Sequence, residues 1–202
     1  MRRTRFRRDQ RQPGCRLRLR EGGELMSWFE LAIPTVLEHE GGYVDDPDDH
    51  GGATNYGISL RYLKKQGADV GDFDGDGDVD VDDIRAMSVD DAEHIYRTLW
   101  WDRFGYGDIV DQALATKVFD LAVNMGARQA HRLLQRACRA AGKPVTVDGL
   151  LGPVTLGAVN DLPATAVLAA LRSEAAGFYR VLIARDPVRR KWQTGWLRRA
   201  YS

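Results

Sequence analysis

Apolar residues recur every three or four residues through three successive segments, residues 109–123, 127–141 and 164–184. This spacing places apolar side chains on one face of an α-helix, and no strong run of strand-like alternation accompanies it. Since 44% of the residues are hydrophobic, the chain can bury a core. It contains no apolar run of the ~20 residues that a membrane-spanning helix needs. The sequence therefore predicts a mainly α fold.

Charge is distributed unevenly along the 202 residues. Residues 1–25 carry nine Arg and three acidic residues, a net charge of +6, whereas residues 26–202 carry 20 basic and 26 acidic groups, a net charge of −6. Seven of those acids lie between Asp72 and Asp83, and the rest of residues 26–202 is close to neutral. Net charge therefore gives no indication that the folded part binds nucleic acid.

Residues 1–25 form a basic extension that is poor in aliphatic residues, and we predict that it is disordered because it cannot bury enough apolar surface to fold. It lacks the apolar segment of a secretory signal peptide. A weak contact with an anionic surface is one interpretation, and a dispensable leader before Met26 is the simpler one. Two cysteines do not make a disulfide framework, and the four histidines lack zinc-ligand spacing.

The segment from Ser27 to Glu40 has the apolar spacing of an amphipathic helix. Ser27 and Glu30 fit a capping box at its start, and Gly41-Gly42 predicts its end. Glu40 then lies in the last turn, on the apolar side. A carboxyl in that position loses part of its hydration, which favours its protonated form. A protonated carboxyl is what a glycosidase uses to donate a proton to the leaving oxygen.

Residues 41–58 are rich in Gly, Asp and Pro, which predicts a loop or a short hairpin rather than a helix. Asp49 and Thr54 lie in this segment, and Gly51-Gly52 between them permit a tight turn. A second carboxylate and a hydroxyl beside the helix end that carries Glu40 could bracket a glycosidic bond and a water molecule.

The stretch from Glu40 to Ile58, EGGYVDDPDDHGGATNYGI, resembles the signature of glycoside hydrolase family 108, whose members are lysozyme-like N-acetylmuramidases. The resemblance implies a lysozyme-like helical fold and gives each candidate residue a role. Glu40 would be the general acid. Asp49 would position or activate water, or stabilise positive charge on the sugar, and Thr54 would help to orient that water.

The resemblance implies an enzyme that cleaves the β-1,4 bond between N-acetylmuramic acid and N-acetylglucosamine in peptidoglycan glycan strands. It also implies a phage or prophage endolysin, made in the cytoplasm and acting in the periplasm after holin-type release. We expect it to be a monomer. Two other functions stay open at this point. A lytic transglycosylase also uses one Glu but yields an anhydro product, and a non-catalytic, calcium-dependent module would bind peptidoglycan or a cohesin.

The acidic segment Asp72–Asp83 fits the twelve-residue EF-hand calcium loop, with Gly77 at the sharp turn of position 6. Seven aspartates in twelve residues repel one another unless a cation offsets their charge. Position 12 is Asp rather than Glu, as in dockerin-type loops. We therefore predict a bound calcium ion that clips the neighbouring helices together. Its expected ligands, at positions 1, 3, 5, 7, 9 and 12, are Asp72, Asp74, Asp76, Asp78, Asp80 and Asp83.

We predict a catalytic lobe over residues 26–125 and a helical, peptidoglycan-binding-like lobe over residues 126–202. In the second lobe, Val147–Thr155 resembles the D-G-x-x-G-P-x-T motif of helical peptidoglycan-binding domains. Asp148 and Pro153 can build this turn without a ligand, because Pro suits a first helical turn and Asp caps nearby amides. Four tryptophans could stack on sugar rings, although we expect at least two in the core; they are Trp100, Trp101, Trp192 and Trp196.

Overall fold

The computed structural model describes residues 18–19, 25–45 and 52–202, and it confirms the prediction of a mainly α protein. The α-helices of the described residues are α1 (Phe29–Glu40), α2 (Leu60–Gln66), α3 (Ala68–Gly71), α4 (Val81–Ala86), α5 (Val89–Tyr96), α6 (Gln112–Met125), α7 (Ala127–Ala140), α8 (Pro153–Asp161), α9 (Ala164–Arg185) and α10 (Gln193–Tyr201).

Short elements connect these helices. A π-helical segment, Arg97–Asp102, continues α5, and 3-10 turns at Tyr106–Asp108 and Pro187–Trp192 precede α6 and α10. The described strands form two antiparallel hairpins, in which β1 (Arg18–Leu19) pairs with β2 (Leu25–Met26) and β3 (Thr54–Asn55) pairs with β4 (Ile58–Ser59). The second hairpin is the short hairpin that residues 41–58 predicted.

Helix α6 is the centre of the fold. It contacts α1, α7 and α9, and α9 in turn packs against α7 and α10. Its side chains are buried on nearly every side, as a helix at the centre of a core requires. Two of the buried residues are charged, Lys117 and Asp120. Burial of a charge is costly unless it is paired, so both residues must have partners.

An aromatic cluster packs against the middle of α6. The ring of Phe119 lies 5.4 Å from Trp101, 5.8 Å from Tyr106 and 6.0 Å from Phe29, centroid to centroid. Trp101 meets Phe119 edge to face, which is a favoured aromatic geometry. Trp101 is therefore a core residue. Trp100 and Trp196 are half-buried against the core, and Trp192 is exposed.

The start of α1 differs from its prediction. The helix is capped by the backbone of Trp28, and Ser27 donates its hydroxyl hydrogen bond to the carbonyl of Tyr106, at 3.1 Å. The capping box of Ser27 with Glu30 was therefore wrong. A buried long-range acceptor takes the Ser27 hydroxyl, and a local sequence pattern carries no information about such a partner.

Among the described residues, no single helix is long and apolar enough to cross a membrane. Helices α8 and α9 pass that test of length and composition only as a pair, and they are bent by 116° where they meet.

His131 on α7 connects two distant parts of the chain. Its Nε2 lies 3.0 Å from the hydroxyl of Tyr106, and its Nδ1 lies 3.2 Å from the carbonyl of Gly149. A neutral ring with the proton on Nδ1 fits both contacts, because Tyr106 then donates and Gly149 accepts. Burial lowers the pKa of His131, so the ring stays neutral in the folded protein.

We expect the free energy of unfolding to decrease as the pH falls from 7 to 5. The unfolded chain takes up a proton at His131 near the ordinary pKa of 6.5, whereas the folded chain resists it, so acid favours unfolding. Urea unfolding at both pH values, on wild type and His131→Gln, measures this contribution. The matched control is His94→Gln, which changes an exposed histidine on α5. An equal pH dependence in wild type and His131→Gln would contradict the assignment.

Candidate active site

Glu40 is the last residue of α1, and a tight turn packs against its side chain. Gly57 lies in the two-residue turn between β3 and β4 with φ +79°. A Cβ at Gly57 would come within 2.6 Å of the Glu40 Oε2 atom and 2.7 Å of its Cβ. Only glycine therefore suits this position, both for its backbone conformation and for its close approach to Glu40.

Tyr96 fixes the turn between β3 and β4 through a hydrogen bond. Its hydroxyl donates a hydrogen bond of 2.8 Å to the carbonyl of Tyr56, the residue before Gly57. Burial, together with the negative charge of Glu40, raises the pKa of Tyr96, so its hydroxyl stays protonated and continues to donate. The wall of the site on this side is thus fixed by a buried hydrogen bond.

Thr54 lies at the start of β3, beside residues 41–45, which follow Glu40 in the chain. Its backbone makes two hydrogen bonds of 2.8 Å with Val44, which joins residues 41–45 to the hairpin. Its hydroxyl donates to the carbonyl of Gly52, at 3.3 Å. The structure therefore places the Thr54 strand next to the chain that follows Glu40. Asp49 lies outside the described residues.

A buried guanidinium joins two carboxylates from different helices. Arg199 on α10 donates from Nη2 to Oε1 of Glu40, and from Nε to Oδ1 of Asp120 at 3.0 Å. Arg199 is 6% exposed and Asp120 is fully buried. Arg199 therefore forms ion pairs with one carboxylate from α1 and one from α6.

Asp120 has two further basic partners. The Nδ1 atom of His39 lies 2.9 Å from Oδ1 of Asp120, and Nζ of Lys117 lies 3.6 Å from Oδ2. Burial alone would raise the pKa of Asp120, but the hydrogen bond from His39 and the charges of Arg199 and Lys117 outweigh it and lower the pKa. Asp120 is therefore ionised, and it holds Arg199 at the position from which it contacts Glu40.

Glu40 and Arg199 line an open cleft of about 500 Å³. Asn124, at the end of α6, lines the same cleft and accepts a hydrogen bond of 2.8 Å from the hydroxyl of Tyr179. The other side of the cleft comes from α10 and the 3-10 turn before it, and its side chains include Lys191, Trp192, Trp196 and Arg198. The cleft therefore combines a carboxyl group, several cations and exposed aromatic surface.

Sequence reasoning missed Arg199, Asp120 and His39. Asp120 did carry a signal, since an acid inside the apolar stretch of α6 must be paired if it is buried. Arg199 carried none, because it is one of several basic residues in a basic terminal segment and only tertiary structure distinguishes it from Arg198.

The Asp148–Thr155 motif forms a turn against α7. Gln135 accepts from the backbone N–H of Gly149 at 2.8 Å and donates to the Asp148 carboxylate at 2.7 Å. The same carboxylate accepts from the N–H of Leu150 at 2.8 Å, and Thr155 donates to the Leu150 carbonyl at 3.2 Å. These bonds give the motif a structural role that needs no ligand, as its glycines and proline predicted.

The acidic loop places its carboxylates in two groups. Within each group, the oxygen atoms lie within 4.8 Å of one another, and the groups are Asp72, Asp74, Asp76 and Asp78, Asp80, Asp83. Asp83 is buried and accepts from the backbone N–H groups of Phe73, at 2.6 Å, and Asp80, at 2.7 Å, so it closes the loop. The charge of Asp76 raises the pKa of Asp78. Clustered hard oxygen donors of this kind suit a calcium ion.

Comparison with known proteins divides the chain into two matched regions. Residues 33–126 match the family model described as glycosyl hydrolase 108, and residues 129–201 match the one described as a predicted peptidoglycan domain. Among solved structures, the chain is similar to Brucella abortus SagA, with 28% sequence identity and a TM-score of 0.66 over 85% of this chain and 91% of SagA. No curated protein matches. Glu40 lies in the first matched region and Arg199 in the second.

We expect Asp120→Asn to lower the free energy of unfolding at pH 7 by about 3–5 kcal/mol, because it leaves Arg199 and Lys117 buried with one carboxylate fewer. The loss should shrink below pH 4. The folded pKa of Asp120 lies below the unfolded value near 3.8, so its stabilisation is present above that value and disappears as the pH falls through the folded pKa.

The matched control is Asp161→Asn, which breaks an exposed pair with Lys143 at 2.7 Å. Exposed pairs contribute about 0–1 kcal/mol, so this variant should resemble wild type. Urea unfolding at pH 7 and pH 3.5 measures both variants. Equal losses for Asp120→Asn and Asp161→Asn at pH 7 would show that the buried network does not stabilise the fold.

Proposed function

We propose that this protein is an N-acetylmuramidase. Residues 33–126 match glycosyl hydrolase 108 and residues 129–201 match a predicted peptidoglycan domain, which supports a glycoside hydrolase that acts on peptidoglycan. It cleaves the β-1,4 bond between N-acetylmuramic acid and N-acetylglucosamine. The observation that carries this proposal is the position of Glu40, whose carboxyl lines the cleft at the end of α1 and is held there by Arg199.

Glu40 is the general acid of the proposed reaction. As it passes its proton to the glycosidic oxygen, its carboxyl changes from neutral to negative, and Arg199 stabilises the charge that develops. Asp120 accepts a hydrogen bond from the same guanidinium and thereby fixes Arg199 beside Glu40. A glycan strand in the cleft also displaces water, which strengthens the electrostatic interactions around Glu40 and Arg199.

Asp49 and Thr54 complete the proposed site. Asp49 positions or activates the attacking water, or stabilises positive charge on the sugar, and Thr54 orients that water. The pairing of the Thr54 strand with Val44 supports this assignment, since it fixes the start of the hairpin beside the segment that follows Glu40. The separation between the carboxyl groups of Glu40 and Asp49 decides between retention and inversion of configuration.

We also propose the biological setting that the family resemblance implies. The enzyme is a monomeric phage or prophage endolysin that reaches the periplasm through a holin-type route.

Mass spectrometry of digested peptidoglycan tests the reaction type directly. A muramidase leaves N-acetylmuramic acid at the reducing end, a lytic transglycosylase leaves the anhydro form, and a non-catalytic binding module releases no product. Anhydro products or an absence of products would overturn the muramidase proposal.

Glu40→Gln should keep the fold and lose about 10²–10⁴-fold of the rate of peptidoglycan hydrolysis, because the amide cannot donate the proton. Asp49→Asn should also be strongly impaired, and Thr54→Ala less so. Turbidity loss of purified cell walls gives the rates, and melting curves confirm folding. Glu30→Gln, at the exposed start of the same helix, is the control and should retain the wild-type rate. Hydrolysis by Glu40→Gln at the control rate would remove Glu40 from the acid role.

We further propose that the EF-hand-like loop Asp72–Asp83 binds calcium. Hydrogen bonds from the backbone to the carboxylates fix the conformation of the loop. Asp72, for example, accepts from the N–H of Gly75 at 2.7 Å and from the N–H of Gly77 at 3.1 Å. When bound, calcium would offset the repulsion among the aspartates and clip α2 to the segment from Ile84. It would act on structure rather than in the reaction.

A chelator should therefore lower the melting temperature. An ion that binds only the folded chain at a hundredfold excess over Kd stabilises it by ~2.7 kcal/mol. Asp72→Ala and Asp83→Ala should mimic the chelator and abolish its further effect. The control is Asp69→Ala, an exposed acid just before the loop, which should respond to the chelator as wild type does. Identical wild-type melting curves with and without calcium would contradict the proposal.

A further inference from the structure

The wall of the cleft that comes from the C-terminal part of the chain carries a stack of aromatic rings. Tyr179 stacks on Trp196 with ring centroids 5.2 Å apart and an interplanar angle of 23°, and Trp196 stacks on Trp192 at 5.7 Å and 26°. Tyr179 is buried, Trp196 is half-buried and Trp192 is 46% exposed. The stack therefore runs from the core to the surface of the cleft and holds Trp192 in a fixed orientation there.

An exposed indole held this way offers a fixed apolar surface to a ligand. Large apolar side chains left in water mark sites of interaction when they line a concave surface. Trp192 lines the same cleft as Glu40. The C–H face of a pyranose ring is flat and apolar, and it can pack on an indole as another aromatic ring does.

Two cations accompany Trp192. The Nζ atom of Lys191 lies over the Trp192 ring, 4.5 Å from its centroid, and Arg198 lines the cleft with a side chain that is 79% exposed. The Nη2 atom of Arg198 lies 4.0 Å from Oε1 of Glu38, which is also exposed. Exposed cation–π contacts and exposed ion pairs are both weak, at about 1 kcal/mol or less. An anionic ligand can therefore recruit both cations at little cost, whereas Arg199 is committed to Glu40 and Asp120.

From this arrangement we propose that Trp192, Lys191 and Arg198 form a subsite for a carboxylate-bearing sugar. It rests on the proposed function, since it deepens the substrate assignment of the same cleft. Lys191 gives up its contact with the Trp192 ring and binds the carboxylate together with Arg198, and the Trp192 ring packs on the sugar face. In a peptidoglycan strand this sugar is the muramic acid residue, whose negative charge comes from its lactyl group or from the peptide attached to it.

The proposal gives the C-terminal region a direct part in substrate choice. Its residues recognise the sugar next to the bond that Glu40 cleaves, instead of only tethering the enzyme to the wall. A neutral glycan of N-acetylglucosamine alone can use the aromatic surface but offers nothing to the two cations. The subsite therefore predicts a preference for anionic over neutral glycans.

Calorimetric binding to the full chain carrying Glu40→Gln tests this without cleavage of the ligand. The probes are chitotriose, which is neutral, a disaccharide of N-acetylglucosamine and N-acetylmuramic acid with a free lactyl carboxylate, and the same disaccharide with its peptide. Trp192→Ala should weaken binding of all three by about tenfold, and Trp192→Phe should recover part of the loss.

Replacing both cations, Lys191→Gln with Arg198→Gln, should weaken binding of the anionic probes by about tenfold and leave chitotriose binding unchanged. The binding of the anionic probes should also weaken with added salt in the parent and not in this double variant. A loss for the free disaccharide assigns the lactyl carboxylate, and a loss confined to the peptide-bearing probe assigns the peptide. Lys65→Gln, an exposed lysine on α2 away from the cleft, is the control.

Kinetics on peptidoglycan separate this inference from the proposed function. With Glu40 restored, both sets of variants should raise KM more than they lower kcat. If wild type cleaves peptidoglycan and Trp192→Ala binds the probes as the Lys65→Gln control does, the subsite is wrong and the proposed function stands. If the cation variant loses chitotriose and anionic probes equally, carboxylate recognition is wrong. If wild type cleaves nothing but the selective losses appear, the subsite stands without the proposed function.

Discussion

The guanidinium of Arg199 holds together the parts of the molecule that build the cleft. A buried arginine is tolerable only where carboxylates surround it, and Glu40 and Asp120 meet that requirement from two different helices. The requirement works in both directions, because Asp120 is fully buried and also needs its partners. Helices α1, α6 and α10 are thereby locked in one mutual arrangement, and the orientation of the Glu40 carboxyl is a product of that arrangement rather than of the local helix end.

Polar contacts also hold the C-terminal matched region in place. The contact of His131 with Tyr106 joins the C-terminal region to the first one, and Gln135 pairs the polar groups of the Asp148 turn within the C-terminal region without help from a ligand. With those polar groups already paired, the Asp148 turn has a structural role, whereas the surface that we propose for a glycan is the exposed wall of the cleft around Trp192. The structural motif and the proposed binding surface are therefore separate features of this region.

Local sequence chemistry predicted the long helices α1, α6, α7 and α9. Helices α7 and α9 end within one residue of the predicted bounds. The predicted segment from residue 109 begins its helix only at Gln112, because the carboxylate of Asp111 accepts from the N–H of Leu114 and caps the helix there.

The site was predictable only in its local part. Glu40 and Thr54 can be identified from the sequence because a helix end and a glycine-rich loop are both set by residues that are neighbours in the chain. Arg199, which is 159 positions from Glu40, could not be found in that way. That separation along the chain also affects the order in which contacts form during folding. Closing so long a loop carries a large entropic cost, and contacts of high sequence separation form slowly. We therefore expect the ion pair between Arg199 and Glu40 to form late in folding, when the final helix docks, and until then the Glu40 carboxyl lacks both its counter-ion and its fixed orientation.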